Sequence, residues 1–284
     1  MDDTSRIDEQ PSPPGGAADP ALRPTVRRIG AVNWTGTWTL YAKEVHRFVK
    51  VYLQSVFAPV VTSLLFLAIF TLALGRSVET IAGVPFEVFL APGLMMMAMI
   101  QNAFANTSSS MVISKVQGNI VDVLMPPMSA DELTFAYAVA GATRGVMVGL
   151  VTGLAMWAFV PMRLHDPALI VFHACAASLM MSLLGLIGGI WADKFDHIAA
   201  VTNFVILPLS FLSGTFYSIE RLPGLWNTAA HFNPFFFMID GFRYGFIGHA
   251  DGPLALGIAV IVALNVALWL TARWMFAAGY KLKS

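Results

Sequence analysis

The stretch that decides the fold runs from Ile198 to Phe276: an apolar run, IAAVTNFVILPLSFLSGTF (198–216), an insert rich in glycine, proline and aromatic residues, then LALGIAVIVALNVALWLTARWMF (254–276). Each flanking run is long enough to cross a bilayer, because roughly 20 helical residues span the ~30 Å hydrocarbon layer. Outward from this pair, four more such runs lie at about Ser55 to Leu74, Glu87 to Ala105, Leu133 to Val160 and Ala168 to Trp191. The expectation is an all-α membrane protein with six transmembrane helices. Charged residues make up 12% of the 284 residues, the nine apolar types 57%, and mean hydropathy is +0.68, far too apolar for a soluble domain of this length.

Residues from Met1 to about Gly30 hold acids, prolines and glycines with almost nothing large and apolar, and read as a disordered cytoplasmic tail ahead of a membrane unit over 31–284. They lack the pattern of a signal peptide. From Trp34 to Tyr52 the apolar residues Trp34, Trp38, Tyr41, Val45, Phe48 and Tyr52 recur at helical spacing, with Lys43, Arg47 and Lys50 on another face. That pattern predicts an amphipathic helix lying in the headgroup region, or a plain juxtamembrane anchor. Six crossings put both termini on one side, and the cations before the first span and at the end of the last place that side in the cytoplasm. Cys175 lies within an apolar run and reads as a small packing residue.

Gly141, Gly145, Gly149 and Gly153 form a bare stripe on one face of the third span, where a neighbouring backbone can pack closely. Arg144, on the same helix, falls near mid-membrane and reads either as a contact for an anionic group or as a structural cation bonded to carbonyls. The inner connection from Asn106 to Glu132 predicts a short helix over Ser114 to Leu124, closed by Pro126 and Pro127, that either docks a partner or is a surface turn. In the insert, Pro223 and Pro234 each suit the first turn of a short helix. Two such helices dipping back into the outer leaflet would set Trp226, Phe232 and Phe235 to Phe237 at the interface, while Asp240 and Arg243, three apart, would neutralise each other.

The residues Phe211-Leu212-Ser213-Gly214-Thr215-Phe216-Tyr217, Leu222-Pro223, Asn233-Pro234 and Gly241-Phe242-Arg243-Tyr244-Gly245 resemble, in order and spacing, the motif between the last two spans of the ABC-2 type permeases. These are the membrane subunits of bacterial ATP-driven exporters of polysaccharides, lipids and drugs. The resemblance covers about Asn33 to Tyr280 and departs at Ser218, where many relatives carry proline. It implies an inner-membrane homodimer working with two copies of a separate ATPase that binds ATP and magnesium. The chain contains no G-x-x-x-x-G-K-[ST] loop of its own, and no cofactor, metal or nucleic acid is expected on it. The resemblance further implies a cytoplasmic connecting helix, matching Trp34 to Tyr52 with Lys43, Glu44 and Arg47, and a coupling helix, matching Met111 to Leu124 with Lys115, Gln117, Gly118, Asn119 and Asp122. Asn203, Ser210 and Ser213 of the fifth span, together with the glycine stripe, are candidate pathway or dimer surfaces.

Two other function classes fit less well. An ion-coupled carrier calls for inverted halves and acids at mid-membrane, whereas the runs hold a basic Arg144 and almost no buried acid. A membrane enzyme would draw on His165-Asp166, Asp193 with Asp196-His197, or His249 with Asp251, but these all fall at span ends without metal-ligand spacing.

Overall fold

A computed structural model of the chain describes residues 30, 32–75, 78, 80–219 and 223–282. The tail expected before Gly30, Leu222 of the motif, and the cations Arg23, Arg27, Arg28 and Lys283 lie outside the described residues. Helix α1 (Trp34–Val49) leads through a π-helical segment, Leu53–Phe57, into α2 (Ala58–Leu74). A two-residue turn between β1 (Thr80–Ile81) and β2 (Val84–Pro85) then reverses the chain, with positive φ at both Ala82 and Gly83 as a tight antiparallel hairpin requires. There follow α3 (Phe86–Val116), α4 (Ile120–Leu124), α5 (Ala130–Trp157) and α6 (Pro167–Trp191). Helix α7 (Phe195–Val201) passes through a second π segment, Thr202–Ile206, into α8 (Leu207–Leu212), and α9 (Gly224–Phe232), α10 (Pro234–Ile247) and α11 (Leu254–Ala278) complete the order. Six helices among the described residues are long and apolar enough to cross a membrane, with α7 and α8 together making the fifth.

Each π segment ends just before a proline, Pro59 or Pro208. Proline has no N–H to give the carbonyl four residues back, so the ladder widens locally. Ala58 N–H reaches Leu53 O and Leu207 N–H reaches Thr202 O, five residues back in both helices.

Helix α3 is the central post, packed by α2, α5, α6 and α10. Within its most apolar 18 residues 78% are buried, against 22% for α2, 17% for α7–α8 and 11% for α11, whose outward faces are left for lipid or another chain. α3 also runs eleven residues past the Ala105 end expected from hydropathy. The polar residues that read as a loop satisfy themselves within the helix or on α6: Ser108 Oγ donates to Phe104 O (2.8 Å), Ser109 Oγ to Ala105 O (2.6 Å) and Thr107 Oγ1 to Ser182 O (2.7 Å). The predicted helix over Ser114 to Leu124 is therefore corrected: Ser114–Val116 ends α3, Gly118 at φ +75° breaks the chain, and only Ile120–Leu124 forms the short helix.

Small residues bring the three inner helices together. A Cβ on Gly141 would meet Ser182 and Thr107, one on Gly145 would meet Ser178 and Met99 O, and those on Gly149 and Gly153 would strike Met99 and Met95. The α5 stripe thus packs on α3 and α6 inside the protomer. α6 presents a matching face that the spacing of α5 alone did not reveal, for Gly185 lies on Phe104 O and Gly189 on Met111 and Ser108 O. Cys175, by contrast, is exposed on α6 rather than packed.

At the end that carries α4, Lys115 Nζ caps α6 by donating to Ile190 O (2.7 Å) and Ala192 O (2.8 Å), and Lys281 Nζ donates to Trp191 O (3.0 Å) and Asp193 Oδ2 (2.9 Å). The Lys281 ammonium holds the Asp193 carboxyl below the usual carboxylate range. Its stabilising effect is present at neutral pH and lost as pH falls through that lowered value.

The tight approach at α6 gives two substitutions opposite signs. Gly185→Ala forces a Cβ onto backbone and lowers the melting temperature in mild detergent, at a cost of about 1–3 kcal/mol. Gly188→Ala meets only Ile198 at 3.7 Å and Phe104 at 4.0 Å, so it leaves stability unchanged or raises it by up to about 1 kcal/mol.

Candidate functional site

Candidate functional residues gather at the two ends of α3. At the α4 end, the helix α1 buries Thr37, Leu40, Glu44 and Phe48 and leaves Trp34 and Trp38 exposed, as is Tyr52 just beyond it. The aromatic residues expected in the headgroup region are thus largely outside the protein core, and the face that packs on protein carries a carboxylate. Glu44 Oε2 accepts from Ser110 Oγ (2.6 Å) and Arg47 Nε (3.1 Å), and Arg47 Nη2 donates to Asn106 O (2.7 Å) and Asn106 Oδ1 (3.1 Å). Glu44 and Arg47 are struts joining α1 to α3, while Lys43, His46 and Lys50 remain exposed. A second tie holds the start of α1: Glu132 accepts from Asn33 N (2.5 Å) and Ser129 N (2.7 Å), while Ser129 Oγ caps Glu132 N (3.2 Å) in a reciprocal box. Asn33 Nδ2 also donates to Pro127 O (3.3 Å). α1, the proline segment after α4, and the start of α5 thus form one connected unit.

The elbow itself protrudes. Val116, Val121 and Met125 are 59%, 54% and 77% exposed, beside exposed Gln117, Gly118, Asn119 and Asp122. Of the residues singled out here by sequence, Lys115 alone turns inward, to cap α6.

At mid-span Arg144 Nη2 donates to Asn102 Oδ1 (3.0 Å). On the fifth span Ser210 and Ser213 are buried, and Ser213 Oγ and Thr215 Oγ1 both donate to Ser210 O (2.5 and 2.8 Å) to close the end of α8. Asn203, in the π segment, is exposed beside Phe204.

At the opposite end the chain leaves the helix after Leu212, four residues before the Phe216 expected, and turns at Gly214 with φ +76°. Arg243, 2% exposed, reaches this turn from α10 and donates to Gly214 O (2.6 Å) and Thr215 O (3.4 Å), with its guanidinium 3.8 Å over the Phe89 ring. Non-helical backbone at membrane depth requires such donors from the protein. Gly93 on α3 lets the turn approach, since a Cβ there would stand 2.6 Å from Thr215 O and 3.0 Å from Arg243 Nη2. On the other face of α10, Gly241 packs on the His173 ring and Gly245 on Ile170, while Gly245 O accepts from His165 N and Asp166 N (both 2.8 Å). The two glycines press α10 onto α6 so that Arg243, between them, meets the turn.

Pro223 caps α9, Pro234 opens α10, and Asn233 accepts from Phe235 N (3.0 Å) and donates to Leu209 O (2.7 Å). Two expectations for the insert are corrected. Asp240 does not pair with Arg243 but accepts from Asp251 N (2.8 Å) and Gly252 N (3.0 Å). Trp226 and Phe232 are exposed as expected of interfacial rings, but Phe235, Phe236 and Phe237 are buried, because α10 packs on α3, α6 and α11.

Arg243→Met leaves the Gly214 and Thr215 carbonyls without their donor, at about 1–3 kcal/mol each. Thermal unfolding in detergent is expected at a lower temperature than for wild type, with Arg243→Lys in between because it keeps the charge and loses the flat contact on Phe89.

The sequence model of the family described as ABC-2 type transporter matches residues 35–247. The chain is 37% identical over 252 residues to the inner membrane transport permease YadH of Escherichia coli K12, covering 88% of this chain and 98% of that one. It is 28% identical over 259 residues to nodulation protein J of Rhizobium leguminosarum bv. trifolii, covering 84% and 93%. A nodulation protein J of Sinorhizobium fredii is 23% identical over 245 residues, covering 82% and 88%. With six spans, a protruding elbow at one end of α3 and an arginine-held turn at the other, the chain belongs to the ABC-2 type transporter family of membrane permeases.

Proposed function

We propose that residues 31–284 form the permease unit of an ATP-driven exporter that moves a lipid, glycan or hydrophobic drug-like cargo out of the cytoplasm or the inner leaflet. The observation that carries this reading is the elbow. Its exposed Val116, Val121 and Met125 stand among polar Gln117, Asn119 and Asp122 at the end of the most buried helix. Apolar side chains ringed by polar ones at a protruding tip suit a protein partner. In this reading the partner is the nucleotide-binding subunit, which holds ATP and magnesium, and the α1 and α4 end faces the cytoplasm.

Force applied at α4 has a direct route inward. Val116 is continuous with α3, Lys115 ties α3 to α6, Glu44 and Arg47 tie it to α1, and Glu132 ties α1 to α5. Rotation of the elbow therefore moves the inner bundle as a body against α2 and α7–α8.

The permease acts as a homodimer, with cargo passing between the copies. Exposed Asn203 supports this, since an amide on the outer face of a spanning helix is costly against lipid and is relieved by a second copy or an aqueous path.

An ATPase is expected to copurify with the full chain in mild detergent and to hydrolyse ATP faster in proteoliposomes with the permease than without it. The double variant Val121→Asp, Met125→Asp should lower that association by about tenfold or more, with an unchanged melting temperature. Transport that follows an imposed ion gradient, with no ATPase associated, would replace the exporter reading with a carrier.

A further inference from the structure

A cleft of about 290 Å³ opens between α2 and α3, lined on its polar side by Gln54, Thr62, Ser63, Gln101 and Asn102. Its α2 wall runs from Gln54 of the π segment through Pro59 to Phe66, and so begins at a local widening of the kind that recurs at functional sites. Gln101 is fifteen residues from Phe86, about 22 Å along α3 at ~1.5 Å per residue. That is the midpoint of α3, and Gln54, at the α1 end of the first span, carries the cleft from there toward α1.

The hydrogen-bond balance around the cleft is one-sided. Asn102 spends its Nδ2 on Ala98 O (2.9 Å), and its Oδ1 accepts from Arg144. One turn on, the Oδ1 of Asn106, a residue outside the cleft lining, accepts from Arg47. Asn106 Nδ2, Arg144 Nε and Gln101 Nε2 are buried without a protein acceptor. The charges are uneven too. Arg47 has Glu44 at 3.1 Å, but Arg144 forms no ion pair among the described residues. An unbalanced guanidinium at this depth is costly unless an anion answers it, and unmet donors beside it call for an acceptor.

We propose that the α2–α3 cleft is a subsite for the phosphate of an anionic cargo headgroup, with Arg144, which stands behind the cleft wall bonded to Asn102, as its counter-charge and Gln101 as a neutral donor. The subsite rests on the permease reading and names the cargo chemistry for it. A phosphate carries the acceptor oxygens and the negative charge that Arg144 and Gln101 lack on the protein. Its source is a lipid headgroup drawn from the leaflet on the α1 and α4 side, or a water-soluble phosphorylated cargo.

The test is binding without ATP, by the full chain with its copurifying subunits in maltoside micelles, read by native mass spectrometry. The probes are dioleoyl phosphatidic acid, dioleoylglycerol with the same chains and no phosphate, and sn-glycerol 3-phosphate. Wild type is expected to bind phosphatidic acid about tenfold or more tighter than dioleoylglycerol. Arg144→Gln should abolish that preference, Arg144→Lys should keep most of it, and Lys194→Gln, at an exposed cation outside the cleft, should leave it unchanged. Glycerol phosphate competing at equal affinity identifies a soluble cargo, whereas failure to compete identifies a lipid. Folded Arg144→Gln that retains the preference, or Lys194→Gln that loses it, overturns the subsite. If Arg144→Gln does not fold, Gln101→Met carries the same comparison and should weaken the preference several-fold. Because no nucleotide is present, a lost subsite and a lost ATPase partnership give separate results.

Discussion

Asn102, Asn106, Thr107, Ser108 and Ser110 run through the middle of an apolar bundle because most of their hydrogen-bonding atoms, Asn106 Nδ2 excepted, are answered by protein. In α3 those answers position the neighbours. Thr107 holds α6 through Ser182 O, Ser110 holds α1 through Glu44, Asn106 holds α1 through Arg47, and Asn102 holds α5 through Arg144. Apolar packing alone gives little preference between one arrangement of helices and another in lipid. The polar face of α3 supplies that preference, and the glycines of α5 and α6 supply the closeness that makes its short bonds reachable.

The same rule explains the opposite end. The chain breaks at Gly214 while still within the bundle, and the freed carbonyls are met by Arg243 across a gap that Gly93 keeps open. The family motif read in the sequence thus has a mechanical content. Ser213, Gly214 and Thr215 make the turn, Arg243 holds it, and Gly241 and Gly245 set the helix from which Arg243 reaches. α3 joins this clamp to the elbow, so one rigid helix connects the surface proposed for the ATPase with the break proposed to face the outside.

Hydropathy placed all six spans within a few residues at most ends, because a run of apolar side chains reports on itself without reference to partners. The half of α3 nearer α4 was not legible for the complementary reason. Asn106 to Ser110 look like a loop until their partners on α1 and α6 are known, and those lie some 59 to 75 residues away in sequence. Glu44 and Arg47 read as surface charges for the same cause. Phe235 to Phe237 read as interfacial rings because aromatic residues beside proline have no periodicity that separates a buried re-entrant helix from an exposed one. The glycine stripe on α5 was visible as spacing, but the face that receives it, Ser178, Ser182, Gly185 and Gly189, became apparent only in the packed structure.

Amide hydrogen exchange of the full chain in lipid nanodiscs examines the central post most directly. If α3 is one buried helix held by its polar face, amides from Leu94 through Lys115 exchange slowly as a single protected block, and protection falls sharply at Gln117 to Asn119. Exchange from Asn106 to Lys115 as fast as that of the elbow would mean that this segment is a loop, and that the helix does not connect the elbow to the clamp.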